Sequence, residues 1–195
     1  MKNLDEPRLF QALTLLDELL RINRAPRFEL VICGGSALIA TGLVHRTTRD
    51  VDIVAMLKDG MVPSDPEPLP PELENAARKV AASLGLPTDW LNCGPCDLFR
   101  MGLPGGFLER LARRDIGANL TVFFIGRTDQ IHFKLYASVD RGGYHIEDLL
   151  ALQPSDDELV EAGKWSMTHD VSDGYKMMLK ELLREINHGD AADRI

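Results

Sequence analysis

Two aspartates bracket one valine in Asp50-Val51-Asp52, and an apolar run, Ile53-Val54-Ala55, follows them. On a strand, successive side chains alternate between faces, so Asp50 and Asp52 share one face while Val51 and Ile53 enter the core. Two adjacent carboxylates repel, and one tends to keep a proton. A divalent cation removes that conflict, and Mg²⁺ prefers a few carboxylates plus phosphate oxygens to an all-protein cage. The pair therefore suits metal-assisted transfer of a nucleotidyl or phosphoryl group. The plainer reading is a β-α-β turn with exposed aspartates at a strand start.

Upstream, Gly34 and Gly35 end the apolar stretch "FELVIC", and Ser36 stands where it can cap a helix over "ALIATGLV". Glycines let a backbone approach a phosphate closely, and a helix start offers free N–H groups and the positive end of a dipole. Ser36 would add a hydroxyl donor. No Gly-Lys-Ser/Thr follows, so this is not a Walker A loop. The spaced third glycine of a dinucleotide fingerprint is missing as well.

A second group lies downstream. Lys134 and Arg141 are seven residues apart in "FKLYASVDR", nearly two helical turns, which puts them on one face. Two cations there could grip triphosphate oxygens or neutralise charge in a transition state. A solvated face with a local ion pair is the plainer reading. Gly142 and Gly143 end that helix, and the next carries Glu147 and Asp148.

Gly34-Gly35-Ser36, thirteen intervening residues and Asp50-Val51-Asp52 together resemble the signature of the DNA polymerase β-like nucleotidyltransferase superfamily. Within it, Arg46 and Thr48 of "RTTRDVD", with Lys134, Arg141 and a following acid, Asp148, look like the AbiEii-type nucleotidyltransferases. These include toxins of toxin–antitoxin and phage-defence pairs. The resemblance implies an enzyme that moves an NMP from an NTP to a hydroxyl. It implies Mg²⁺ or Mn²⁺ on Asp50 and Asp52, and nucleotide contacts from Gly34, Gly35, Ser36, Arg46, Thr48, Lys134, Arg141 and Asp148. Asp50, Asp52 and Lys134 would be catalytic. A tRNA end or a protein is the implied acceptor, and a cognate antitoxin the implied partner. Many such enzymes draw a third carboxylate from a later strand, but "NLTVFFIGR" contains none; Asp89 and Asp97 are the nearest candidates. That departure leaves room for a nucleotidyltransferase-fold protein that binds without turnover. A small-molecule nucleotidyltransferase of the antibiotic-modifying kind also fits.

These residues need elements to hold them. Leu9, Leu13, Leu16, Leu19 and Leu20 mark a helix over Leu4 to Asn23. Strands are expected over "FELVIC", "DVDIVAML" and "NLTVFFIG", and helices over Glu72 to Leu84 and Phe107 to Arg114. The stretch "KDGMVPSDPEPLPPE" reads as loop and "DWLNCGPCDLFRMGLPGG" as irregular. From Thr128 onward four helices are expected, the last two beginning near Pro154 and Ser172, with Met177, Met178, Leu179, Leu182 and Leu183 as helix core and Trp165 as an anchor. The predicted class is α/β (α+β): a polymerase β-like core with a short mixed sheet over 1–126, and a C-terminal helical bundle over 127–195.

Composition narrows the field. With 45% hydrophobic and 27% charged residues the chain can build a core. No stretch is apolar enough to span a membrane, "MKNLDEPRLF" lacks a signal-peptide core, and three cysteines fit a reducing cytoplasm. The net charge of −8 argues against a broad nucleic-acid surface. Docking of tRNA would need local groups such as Arg110, Arg113 and Arg114. Cys93-Gly94-Pro95-Cys96 has the letters of the thioredoxin motif, but with no convincing strand before it the expected reading is a turn with two partly buried thiols.

Overall fold

The computed structural model describes residues 3–58 and 61–195. Residues 59 and 60 of the expected loop, and the first two residues of the chain, lie outside the described residues. The protein divides into two compact units, Met1–Gly126 and Arg127–Ile195. The architecture is α+β, with a mixed sheet in the first unit and helices in the second.

The first unit opens with α1 (Glu6–Ile22). It starts later than the leucine spacing predicts, because Asp5 accepts a hydrogen bond from the Arg8 amide and caps it, with a proline in the first turn. Leu9, Leu13, Leu16 and Leu20 are buried along one face. Then come β1 (Phe28–Cys33), α2 (Gly34–Ala40), β2 (Val51–Lys58), β3 (Val62–Ser64) and α3 (Pro71–Leu84). They are followed by β4 (Leu91–Asn92), α4 (Cys96–Met101), a 3₁₀ turn at Leu108–Arg110, β5 (Ala112–Asp115) and β6 (Leu120–Phe124).

Among the described residues the strands run in the order β3-β2-β1-β6-β5, with β4 joining β2. The central strand β1 pairs antiparallel with β2 and parallel with β6. Leu30, Val31 and Ile32 are fully buried, as expected of a strand covered on both faces. The β1–β2 register shifts between Val31 and Ile32, so that Val54 is an extra residue on β2. Such a bulge re-aims the strand beyond it. Beyond it, Cys33 faces Asp52.

Three sequence expectations change here. The segment from Phe107 to Arg114 is not a helix; after the short 3₁₀ turn it becomes the edge strand β5, paired with β6. The expected loop contains β3, a hairpin partner of β2. The expected irregular stretch contains β4 and α4. In each case backbone pairing or a tertiary contact, rather than apolar periodicity, sets the element.

The second unit holds α5 (Arg127–Arg141), α6 (Tyr144–Ala151), α7 (Asp156–His169), α8 (Asp173–Glu185) and a short α9 (Gly189–Asp193) that the sequence does not announce. Ser155 and Glu158 form a capping box at the start of α7, and Ser172 caps α8. Trp165 packs α7 onto α5, stacked on Phe133 with ring centroids 5.6 Å apart. Leu179, Leu182 and Leu183 are buried, but Met177 and Met178 are exposed, which corrects their expected place in the core. On α8 they fall outside the stripe set by Tyr175, Leu179, Leu182 and Leu183.

At the end of α7, His169 packs against Trp165 and Tyr136 at ring-centroid distances of 4.3 and 5.7 Å. Both ring nitrogens are shielded from solvent and lack a hydrogen-bond partner. Desolvation lowers its pKa from 6.5. Below pH 6.5 the unfolded chain binds a proton that the folded unit resists, so stability falls as the pH drops from there through the folded pKa. His169→Phe should flatten that slope and raise stability at acidic pH relative to the native chain. Urea unfolding of both proteins at about pH 5 and about pH 7 checks it.

Candidate active site

The turn from β1 into α2 sets the geometry. Gly34 has φ +68°, in the left-handed region that favours glycine. A Cβ at Gly34 would lie 2.6 Å from Asp52 Oδ2, so the carboxylate rests directly on the glycine backbone. A Cβ at Gly35 would lie 2.8 Å from Thr48 Oγ1 and 3.0 Å from Arg46 Nη2. Thr48 Oγ1 in turn reaches Asp50 Oδ1 at 3.3 Å. The structure thus gathers Gly34, Gly35, Arg46, Thr48, Asp50 and Asp52 into one small surface. Val51 and Ile53 are fully buried beside the half-buried Asp50 and Asp52. Strand β2 itself begins at Val51, one residue after Asp50.

Ser36 is placed differently from expectation. The cap of α2 is Cys33, and the helix begins at Gly34. Ser36 is fully buried, and its hydroxyl donates to the Cys33 carbonyl at 3.3 Å. The helix already begins at Gly34, so the serine falls within its first turn and its hydroxyl is turned inward.

The donor set suits a cation shared with a ligand. Asp50 and Asp52 supply two carboxylates, and among the described residues no three His, Cys, Asp or Glu side chains come together as a cage. That is the donor set Mg²⁺ takes when phosphate oxygens and water complete its shell. Neither Asp97 nor Asp89 sits beside Asp52 in the sheet. Asp97 pairs with Arg100 at 3.0 Å, in a network with Asp65 and Glu67. Asp89 lies in the turn before β4. The residue in register with Asp52 on β4 is Asn92, whose Oδ1 accepts from the Gly94 amide at 2.7 Å. Parallel partners share a face, so an amide flanks Asp52 there.

In the second unit Lys134 and Asp148 form a buried ion pair, Nζ to Oδ2 2.7 Å, with side chains 6% and 5% exposed. The Tyr144 ring lies 5.6 Å from the ammonium. Lys134 is therefore not on a solvated face. Arg141 is exposed, with Asp140 at 3.2 Å. One helix carries both cations in opposite surroundings, because α5 is buried along its middle and exposed at its end.

The cysteine motif has a strand before it after all, since β4 precedes the turn and Cys96 opens α4. The thiols are nevertheless free and held protonated. Burial first, then neighbouring negative charge, pushes Cys93 up to about 12. Burial and the hydrogen bond to Glu67 push Cys96 up to about 11. A redox thiol needs the opposite shift. At the β5 edge, Arg113 and Arg27 both pair with Asp115, at 2.9 and 3.1 Å, which neutralises part of the basic group.

Sequence reading missed two neighbours of the site. Leu4 pairs with Thr48 in an isolated antiparallel bridge, and Asn92 flanks Asp52. Neither has a local signal: Leu4 reads as the start of a helix, and a two-residue strand has no periodicity.

The fold and the glycine–aspartate surface point to nucleotidyl transfer as a class, and the comparison with known families agrees. Residues 7–180 match the family described as "Nucleotidyltransferase of unknown function (DUF6036)", and the chain belongs to that family. No curated protein and no solved structure matches the chain at a significant level. Among the described residues no helix is long and apolar enough to cross a membrane.

Proposed function

We propose that this protein is a Mg²⁺- or Mn²⁺-dependent enzyme that moves an NMP from an NTP to an acceptor hydroxyl on tRNA or protein, in the manner of AbiEii-type toxins. The observation that carries the reading is the Asp52 carboxylate resting on Gly34, since an acid able to take a cation beside a glycine turn is what a triphosphate–metal complex requires. Asp50 and Asp52 would hold the ion, which when bound supplies charge neutralisation at the phosphates. The half-buried Gly34 gives the phosphates close approach to the backbone, and Arg46, which with Thr48 covers the buried Gly35, adds positive charge beside it. Ser36 contributes by fixing the first turn of α2. The acceptor oxygen bonds to the α-phosphorus, the bond from that phosphorus to the β-bridging oxygen breaks, pyrophosphate leaves, and the hydroxyl proton passes to solvent. For Lys134, Arg141 and Asp148 in the second unit, sequence resemblance alone supports a nucleotide-binding role. A cognate antitoxin and a cytoplasmic setting belong to the same reading.

Calorimetry with a non-hydrolysable NTP tests the site. We expect Mg²⁺-dependent binding by the native chain and about 10–100-fold weaker binding by Asp50→Asn and Asp52→Asn. Metal-independent binding, equal in all three proteins, would contradict the assignment. A second reading, binding without turnover, is favoured by the amide of Asn92 beside Asp52. It predicts the same binding with no product.

A further inference from the structure

We propose that Thr48 is a positioning residue for Asp50, and that the segment ahead of α1 sets Thr48 in place through a two-way bridge from Leu4. The role assigned to Asp50 rests on the function proposed above; the bridge does not.

The segment and the loop it grips are 44 residues apart in sequence, yet they are fastened at both ends of a complete antiparallel bridge. The Leu4 amide donates to the Thr48 carbonyl at 2.7 Å, and the Thr48 amide donates to the Leu4 carbonyl at 2.8 Å. Asn3 Nδ2 adds a bond to Thr47 Oγ1 at 3.2 Å. The Leu4 side chain is fully buried, and Asp5, the next residue, caps α1. The bridge is therefore anchored in the core through Leu9, Leu13 and Leu16.

What the bridge holds is the residue between the glycine turn and the first aspartate. The Thr48 hydroxyl oxygen would lie 2.8 Å from a Cβ at Gly35, and it reaches both the carboxylate and the carbonyl of Asp50, at 3.3 and 3.4 Å. Asp50 precedes β2 and so lacks the sheet pairing that fixes Asp52. A carboxylate outside the ladder keeps one geometry only if something else holds it. Thr48 is placed to do so, from a backbone that is itself fixed by Leu4. The threonine thus acts on the metal site through Asp50.

The test uses the full chain, with Mn²⁺ alone as probe, and the variants Thr48→Val, Thr48→Ser, Leu4→Ala and the Leu4→Ala/Thr48→Val double. Two quantities are read: Mn²⁺ affinity by electron paramagnetic resonance, and amide hydrogen exchange over residues 46–50. Thr48→Val should weaken Mn²⁺ binding about tenfold, the size of a lost hydrogen bond to a charged group, while Thr48→Ser, which keeps the hydroxyl, recovers most of it. Leu4→Ala should speed exchange in 46–50, and the double variant should bind Mn²⁺ no more weakly than Thr48→Val, because both act along one path. Equal affinity in Thr48→Val and native protein, or additive losses in the double, would overturn the proposal. If Leu4→Ala does not fold, the valine–serine pair decides the Thr48 step. If the native chain shows no Asp50-dependent Mn²⁺ binding, the metal-site reading fails. The bridge is then judged by exchange alone, where faster exchange in Leu4→Ala supports it and unchanged exchange overturns it.

Discussion

Gly34→Ala should abolish metal-dependent nucleotide binding while leaving the protein folded. Two costs act at that position. An alanine at φ +68° costs about 1–2 kcal/mol of backbone strain. Its Cβ would also stand 2.6 Å from Asp52 Oδ2, closer than real contacts allow, so the carboxylate must turn away. Asp52 is held by pairing with Cys33 on one side and Asn92 on the other, so its backbone cannot follow. With the carboxylate turned away, one of the two acids proposed to hold the ion is lost from the site. Gly85→Ala is the control. Gly85 has φ +67° at the end of α3, but a Cβ added there would meet nothing within 4 Å, so it carries the strain without the clash. Similar thermal destabilisation is expected in both variants, and loss of binding in Gly34→Ala alone. Calorimetry beside thermal unfolding makes the comparison.

The second large effect lies in the helical unit. Asp148→Asn should destabilise it by about 3–5 kcal/mol, because it leaves the Lys134 ammonium buried without its counter-charge. That is much of the total stability of a small unit. Removing both charges, with Lys134→Met and Asp148→Leu together, should restore most of the loss, since a buried pair contributes little beyond a well-packed apolar pair. Urea unfolding of the single and double variants reads this directly. If Asp148→Asn unfolds at the native midpoint, the pair is solvated and Asp148 does not orient Lys134.

What the sequence discloses here follows from what leaves a local trace. Strands β1, β2 and β6 are legible because β-branched and aromatic runs are buried on both faces. The helices of the second unit are legible from their caps and leucines. The edge strand β5, "ARRD", is exposed at all four positions, so no apolar alternation marks it. The short strands β3 and β4 exist through pairing with β2 and have no pattern of their own.

The candidate site divides in the same way. The glycine pair and the two aspartates can be picked out by residue type and order. That Asp52 lies on Gly34 depends on the bulge between Val31 and Ile32, which no single residue announces. The serine looks available because the sequence pattern starts the helix after it; the structure starts the helix at Gly34 and buries the hydroxyl. Lys134 looks solvated on a helical wheel, but the turn at Gly142 and Gly143, both with φ +59°, brings α6 and Asp148 against it.

The most direct measurement is a transfer assay with NTPs labelled at either the α- or the γ-phosphate, using purified protein, Mg²⁺ and a bacterial tRNA pool or lysate. Nucleotidyl transfer at this site predicts that α-label moves to a macromolecule, γ-label leaves as pyrophosphate, and Asp50→Asn and Asp52→Asn transfer neither. Transfer of γ-label to the acceptor, or α-label transfer that survives both substitutions, would contradict it.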